Sequence, residues 1–255
     1  MSDSQLWKRV KGSYLRASAK MLYRRSLLID SGFPIISFTF DDFPRSALHT
    51  GGAILKRYGV TGTYYVSFGL MGKQAPTGTM FLREDIETLL EHGHELGCHT
   101  FDHCSAGETK PVRFEESIVR NQQALCELFP GTAFRTLSYP ISQPRARTKQ
   151  RAGRHFVCCR GGGQTFNVGN ADLNCLASHF LEQSRDKPHV VLDLINENRA
   201  VCGWLIFSTH DISETPTRWG CTPEYFENVV RCAVDSETRI LPVFRAWELL
   251  SASSQ

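Results

Sequence analysis

Two adjacent aspartates at the end of an apolar run are the first feature with chemical potential. Asp41 and Asp42 follow the segment IISFTF, whose β-branched and aromatic residues are typical of a buried strand. Adjacent carboxylates raise each other's pKa, and burial raises the pKa of both further. The pair therefore predicts a cation close by.

The segment HTFDH carries the side chains that could hold such a cation. His99 and His103 are four residues apart, close enough for both imidazoles to reach one divalent metal. Two imidazoles and one carboxylate leave coordination positions open, as a catalytic metal requires. We expect one aspartate to bind the metal and the other, kept ionised by it, to accept a proton as a general base.

Strand-like and helix-like segments alternate along the chain. The predicted strands are PIISFTF, GTYYVSF, ELGCH, AFRTLSYP, HFVCCR, WLIFSTH and RILPVF, and helices are predicted between them, among others near residues 45–60, 112–129, 187–199 and 223–235. This alternation implies a parallel sheet, and the number of repeats suggests a barrel or a distorted relative of one. Tyr139 and His210 each follow a predicted strand, at the rim where barrel enzymes place catalytic groups.

Three motifs in order give the chain a family resemblance. TFDD, GHELGCHTFDH and WLIFSTHD resemble the first, second and fifth motifs of the NodB-homology polysaccharide deacetylases, carbohydrate esterase family 4, from about residue 35 to 250. The resemblance implies an α/β fold, a distorted (β/α) barrel with about seven strands, in a single domain over residues 31–255. It also implies a hydrolase that removes an N-acetyl group from an amino sugar in a saccharide or lipid-linked saccharide.

The resemblance assigns roles to individual residues. Asp41 would be the general base, and His210 the general acid that protonates the leaving amine. Asp42, His99 and His103 would bind one divalent metal. Zinc is the expected ion, with cobalt or nickel as alternatives, because such a ligand set accepts these ions by availability as much as by affinity.

The third motif departs from the family pattern. Family members carry Arg-x-Pro-Tyr-Gly, where the Arg orients the base and a backbone N–H helps to hold the oxyanion, whereas this chain has SYPIS. Ser138 stands in place of the Arg and Ile141 in place of the Tyr. The Ile141 amide can keep the oxyanion role, since a backbone donor does not depend on the side chain. We expect Arg160 to supply the missing guanidinium, with Arg135 as the alternative.

The acidic-Trp fourth motif of the family is not evident in RGGGQTFNVGNADLN. Asp172 is a candidate to take its place by orienting His210. Trp219 and Phe43 are candidate platforms for a sugar ring, with packing at the rim as the alternative role, and Tyr139 is a third candidate for substrate binding.

The positive charge is concentrated at the N-terminus. Residues 1–30 contain seven basic residues against two acidic ones, and apolar residues recur there at three- and four-residue steps. This pattern predicts a basic amphipathic helix over residues 1–30, which either packs across the domain or contacts an anionic membrane surface through residues 1–25. The rest of the chain has no basic stripe, so nucleic-acid binding is not expected.

Length and composition indicate the size of the domain and its cellular compartment. With 255 residues, of which 41% are hydrophobic and 22% charged, the chain resembles an ordinary globular domain. The nine cysteines are odd in number and lack a CxxC pair, and no apolar leader opens the chain. We therefore expect a cytoplasmic protein, with peripheral contact at the inner membrane surface as an option.

Two rival functions remain at this point. One is an amidohydrolase of cyclic imides or ureides on the same fold. The other is a saccharide-binding module without catalysis, against which the complete set of Asp41, Asp42, His99, His103 and His210 argues.

Overall fold

The structure is a computed structural model that describes residues 17–253. Its strands are β1 (Ser26–Ile29), β2 (Ile35–Phe40), β3 (Thr63–Val66), β4 (Gln74–Ala75), β5 (Gly78–Thr79), β6 (Glu95–Cys98), β7 (Thr136–Ser138), β8 (Cys158–Arg160), β9 (Gly169–Asp172), β10 (His179–Phe180), β11 (Trp204–Thr209) and β12 (Arg239–Ile240). Its helices are α1 (residues 17–21), α2 (Ala53–Arg57), α3 (Arg83–Glu91), α4 (Pro111–Leu128), α5 (Ala146–Ala152), α6 (Pro188–Ala200), α7 (Pro223–Asp235) and α8 (Val243–Ser253). A π-helical turn, Ala47–Gly52, precedes α2, and 3₁₀ turns lie at Phe68–Leu70 and Leu181–Gln183.

The central sheet is parallel throughout. Its strands follow the order β10-β11-β2-β3-β6-β7-β8, and β12 pairs additionally with β2. Helices from the connections pack against the sheet and enclose the main apolar core. The predicted α/β architecture, a distorted (β/α) barrel with about seven strands, is confirmed.

Irregular backbone connects the two edges of the sheet. The Cys159 amide donates to the Leu173 carbonyl (2.7 Å) and the Gly161 amide to the Leu176 carbonyl (2.8 Å), so this stretch lies beside β8. A few residues later the same stretch becomes β10 and pairs with β11 at the other edge. The stretch that lies between the two edges of the sheet is therefore a regular strand over only two residues.

The two central strands position the first site residues. Every residue of β2 and β11 is buried, which explains their continuous apolar runs. The strands pair in parallel with Phe40 opposite Thr209, and the Asp41 amide donates to the Thr209 carbonyl (2.9 Å). Asp41 and His210 therefore leave the sheet side by side at one rim.

The N-terminal helix predicted over residues 1–30 does not extend to residue 30. Residues 17–21 are helical, but Ser26–Ile29 forms β1, which pairs antiparallel with β9. Leu27 and Ile29 are buried while their neighbours are exposed, a period of two that suits a strand. The remainder of the predicted helix lies outside the described residues, so its membrane contact stays a prediction.

A buried ion pair fastens this segment to the domain. Lys149 is fully buried, and its Nζ donates to the Ala19 carbonyl (2.6 Å) and pairs with the Asp172 carboxylate. Asp172 also accepts from the backbone amides of Arg25 and Asn174, both at 3.1 Å. The chain before β1 is therefore held by α5 and by β9.

Membrane-spanning helices and disulfides are both missing from residues 17–253. No helix in this range is long and apolar enough to cross a bilayer. All nine cysteines fall within it and are unpaired. Burial raises the pKa of Cys98 and Cys159 to about 12, so these thiols stay neutral and pack as small apolar groups.

Removing one member of the buried ion pair should destabilise the protein. Lys149→Met leaves the Asp172 carboxylate without its buried cation, and we expect it to lower the free energy of unfolding by about 3 kcal/mol in urea titrations. The matched control Lys56→Met removes an exposed lysine and should change stability by less than about 0.5 kcal/mol. Similar losses in the two variants would show that the pair does not anchor the segment.

Candidate active site

A sharp turn at the end of β2 separates the two aspartates. Asp42 and Phe43 have φ values of 63° and 59°, a left-handed conformation that non-glycine residues rarely adopt. Asp41 consequently faces Arg160 and Asp42 faces the imidazoles of the HTFDH segment. The turn allows two adjacent carboxylates to have different partners.

Asp42, His99 and His103 form a compact group of potential ligands. Asp42 Oδ1 lies 3.4 Å from His99 Nε2 and 2.9 Å from His103 Nε2, and the three ligand atoms all lie within 4.8 Å of one another. His99 Nδ1 lies 2.8 Å from the Ser138 carbonyl, so it donates there and leaves Nε2 as the free lone pair. Thr77 Oγ1 donates to Asp42 Oδ2 (2.9 Å) and fixes the carboxylate.

This donor set fits a divalent metal. Asp42 Oδ1 is buried and has no hydrogen bond of acceptable geometry, although two ring nitrogens face it. A buried acceptor without a partner is unfavourable, and a cation between the three atoms would satisfy it. Burial raises the pKa of Asp42, but His103 and His99 outweigh this and hold it well below its usual range. One carboxylate and two imidazoles suit zinc, cobalt or nickel.

Arg160 supplies a guanidinium to the other aspartate. Its Nη2 donates to Asp41 Oδ1 and to Ser138 Oγ (2.5 Å), and its Nη1 donates to Ser178 Oγ (3.0 Å). Ser208 Oγ donates to the second carboxylate oxygen of Asp41 (3.3 Å). The contact expected between Arg160 and Asp41 is therefore present, and the short side chain of Ser138 is part of it.

The guanidinium decides the charge of Asp41. Burial raises the pKa of this carboxyl, but the charge of Arg160, with contributions from His99 and His210, lowers it to about 2. Asp41 is therefore ionised at neutral pH, as a general base must be. The alternative donor Arg135 is exposed and lies over the Phe244 ring (4.6 Å) at the other end of β7, so it does not reach Asp41.

His210 lies next to Asp41 but without an acidic partner from β9. Its Nδ1 is 3.3 Å from the Trp219 carbonyl, which fixes the ring through the backbone. The expectation that Asp172 orients His210 is wrong, because that carboxylate pairs with Lys149 at the β9 end. The segment between β8 and β10 has no clear hydrophobic period, so the direction of the Asp172 side chain could not be predicted from the sequence.

Ile141 has a backbone conformation that is unusual for its residue type. Its φ is 66°, which is unfavourable for a β-branched residue, and its side chain is 70% exposed. Within residues 17–253 its amide N–H makes no hydrogen bond. The amide is thus free to donate to a substrate oxygen, and its oxyanion role stays a prediction.

Two of the three candidate substrate-binding aromatic residues belong to the core. Phe43 is fully buried and stacks on Phe81 with ring centroids 5.1 Å apart, because the left-handed turn folds it back under the sheet. Tyr139 is 6% exposed and its hydroxyl donates to a backbone carbonyl (2.9 Å). Neither can stack on a sugar. Trp219 is half-buried, with the Arg218 guanidinium 4.1 Å from its ring centroid.

Glu182 is a titratable residue near the site that the sequence analysis missed. Its Oε2 is buried without a hydrogen bond in the described chain. Burial, and to a smaller extent the charge of Asp41, raise the pKa of Glu182 to about 8. The residue follows β10, whose two residues carry no detectable period, so only its acidic character marked it in the sequence.

The fold and the family comparison together define a class of protein. The parallel sheet carries a set of three potential metal ligands at one rim, and a separate ionised carboxylate lies beside it. The family model described as polysaccharide deacetylase matches residues 30–156, about half of the chain. The chain belongs to the polysaccharide deacetylase family. No curated protein matches its sequence.

Solved structures with the same fold share little sequence with this chain. A family 4 acetyl xylan esterase from Clostridium thermocellum, in complex with a cobalt ion, is 18% identical with a TM-score of 0.57, covering 86% of this chain and 91% of its own. The peptidoglycan deacetylase PdaC from Bacillus subtilis is 14% identical with a TM-score of 0.59, covering 88% and 95%. A mutant of BA3943, a family 4 pseudoenzyme, is 13% identical with a TM-score of 0.58, covering 87% and 68%. At these identities the comparison shows the fold alone.

The raised pKa of Glu182 predicts a pH dependence of stability. Between about pH 4.5, its ordinary value, and about pH 8, the unfolded chain releases this proton while the folded chain keeps it. Stability should fall with rising pH in this window, by at most about 1.4 kcal/mol per pH unit from this group.

The matched pair Glu182→Gln and Glu224→Gln tests this assignment. Glu182→Gln removes the titrating group, so its advantage over the wild type in urea titrations should grow from pH 4.5 to 8. Glu224 is exposed, and its replacement should leave the wild-type pH profile unchanged. Parallel profiles for all three proteins would contradict a buried neutral Glu182.

Proposed function

We propose that the protein is a metal-dependent hydrolase that removes an N-acetyl group from an amino sugar in a saccharide or lipid-linked saccharide. Membership of the polysaccharide deacetylase family supports deacetylase activity. The observation that carries the proposal is that the two adjacent aspartates have different partners at the rim. The charge of Arg160 keeps Asp41 ionised, while Asp42 and two imidazoles form a set of potential metal ligands.

Asp42, His99 and His103 would hold the metal. When bound, this ion supplies Lewis-acid polarisation of the amide carbonyl and lowers the pKa of the attacking water. Asp41 accepts the proton of that water, because Arg160 keeps its carboxylate charged and Ser208 Oγ fixes its second oxygen. These two donors orient the Asp41 carboxylate, and a general base has to be oriented toward the proton that it accepts.

The remaining steps use the Ile141 amide and the His210 side chain. The Ile141 amide donates to the oxygen that becomes negative when water adds to the carbonyl. The C–N bond then breaks, the amine nitrogen takes a proton from His210, and acetate is the second product. The Trp219 carbonyl holds the His210 ring toward this rim.

Trp219 is the candidate platform for the sugar. Of the three candidate aromatic residues it is the half-buried one, and its carbonyl lies 3.3 Å from His210 Nδ1. An aromatic face next to the acid would place a pyranose ring over the site by apolar contact. The Arg218 guanidinium over the ring adds a donor for sugar hydroxyl groups.

The function is tested by acetate release from a panel of N-acetylated saccharides. Protein loaded with zinc, cobalt or nickel should release acetate, and a chelator should abolish the release until metal is restored. Hydrolysis of cyclic imides or ureides without acetate release would establish the amidohydrolase instead. Saturable saccharide binding with no product from any substrate would indicate a binding module.

Variants of Asp41 and His103 should distinguish the general base from the metal ligands. Asp41→Asn should keep one metal per chain and lower kcat about 100-fold or more, as the loss of a general base does. His103→Ala should lose most of the metal because it removes one of three protein ligands. Measuring both the metal content and kcat of each variant distinguishes the general base from a ligand. Loss of metal from Asp41→Asn would mean that the two aspartates exchange roles.

Arg160 should affect turnover through the pKa of Asp41. Arg160→Lys keeps the charge but not the planar fork, so we expect kcat to fall about tenfold. Arg160→Gln removes the charge and should move the acidic limb of the kcat/KM profile to higher pH, since the guanidinium lowers the pKa of Asp41. Circular dichroism checks folding, and Arg231→Gln, an exposed arginine, is the control. An unmoved acidic limb would exclude Arg160 as the residue that sets the pKa of the base.

A further inference from the structure

A cavity of about 510 Å³ lies at the end of the barrel opposite the active site. Arg135 lines it and directly precedes β7, whereas Ser138 ends the same strand beside Asp41. Val157 lines it and directly precedes β8, which ends in Arg160. Three extended residues span about 10 Å, so the cavity and the active site are separated by one short strand length. We call it the arginine cavity.

Among the described residues, the arginine cavity is lined by cations and by no carboxylate. Its polar lining consists mainly of Arg25, Arg135, Arg154, His155, Trp247 and Ser251. His155 has an acidic partner, Glu115, at 3.0 Å. Arg135 and Arg154 are exposed, and neither forms an ion pair with any residue of the described chain. Like charges gathered without a counter-charge repel one another, and an anion between them would remove this repulsion.

Arg25 holds a fixed position in the cavity wall. Its guanidinium donates to the carbonyls of Gly153 (3.1 Å), Phe156 (2.8 Å) and Val157 (2.6 Å). Those bonds use both terminal nitrogens. The Nε of Arg25 is buried and has no partner in residues 17–253. The charge is thus held in place by the fold, and the buried Nε–H is left without an acceptor.

A second buried donor belongs to another residue that lines the same cavity. Trp247 Nε1, on α8, has no hydrogen-bond partner among the described residues. Buried N–H groups without acceptors are rare in folded proteins and point to a missing water or ligand. The residues that carry these two donors come from separate parts of the chain and line one cavity together with Arg135 and Arg154. The three arginines indicate a bound group that is negatively charged and rich in acceptor oxygens.

We propose that the arginine cavity binds a phosphate group. A phosphate offers at least three acceptor oxygens and up to two charges, which matches two exposed arginines plus the fixed Arg25 better than a single carboxylate does. Free inorganic phosphate, a soluble phosphomonoester and a phospholipid headgroup share this chemistry. The site lies apart from the metal ligands and does not depend on the hydrolase proposal.

Titration of the full chain with inorganic phosphate by calorimetry, at about 150 mM salt, tests the site. We expect saturable binding of one phosphate per chain. Arg135→Gln and Arg154→Gln should each weaken binding at least tenfold, since each removes a charged donor. Both side chains are exposed, so folding should survive, and equal melting temperatures verify this.

The matched control is Arg231→Gln. Arg231 is exposed, lies on α7 and does not line the cavity, and its replacement changes the net charge by the same amount. Phosphate affinity in this variant should stay within twofold of the wild type. Absence of saturable binding, or equal weakening in all three variants, would overturn the proposal in favour of nonspecific attraction.

Vesicles distinguish the sources of the phosphate. Sedimentation with phosphatidylcholine vesicles, with and without phosphatidic acid, is compared between Arg154→Gln and Arg231→Gln, which share an identical N-terminal segment. Binding that requires phosphatidic acid and falls only in Arg154→Gln would assign a lipid headgroup. Equal vesicle binding by the two, with phosphate binding lost in Arg154→Gln, would assign a soluble phosphate compound.

Discussion

The need to keep two adjacent, buried carboxylates ionised governs the architecture of the rim. Each carboxylate requires its own positive partner. The left-handed turn at Asp42 directs one carboxylate to the imidazoles and leaves Asp41 for Arg160. The fully buried pair β2 and β11 then fixes where Asp41 emerges. Without these partners, desolvation would protonate both groups and remove base and ligand together.

Backbone strain gathers at the same rim. Five residues there adopt a left-handed conformation although none is glycine: Asp42, Phe43, Thr100, His103 and Ile141. Such a conformation costs about 1–2 kcal/mol per residue, and it persists only where the surrounding packing leaves no alternative. The buried sheet supplies that packing, and Phe43 stacked on Phe81 is a direct example. At this rim the strained residues lie in the segments that carry the ligands, the base and the free Ile141 amide, while four other left-handed non-glycine residues lie elsewhere in the described chain.

Patterns with a clear period were readable from the sequence, and short irregular segments were not. The apolar runs of β2 and β11 and the helix Pro223–Asp235 lie where the sequence predicts them. The guanidinium of Arg160 was also predictable, because a base without its usual partner demands a cation at the same rim. In contrast, β9 has the sequence GNAD and β10 has two residues, so the β1–β9 pairing had no signal and Glu182 had only its acidic character. Phe43 was misplaced because strand position alone does not reveal a turn back into the core.

The delivery of the guanidinium from β8 rather than β7 makes positions 138 and 160 interdependent. Ser138 Oγ accepts from Arg160 Nη2, so the small side chain is part of the space that the guanidinium occupies. An arginine introduced at 138 alone would crowd two cations around one carboxylate, and a loss at 160 alone would leave none. Moving the guanidinium from one strand to the other therefore requires changes at both positions. Searches that demand arginine in the third motif will overlook chains in which the same charge reaches the same point from the next strand.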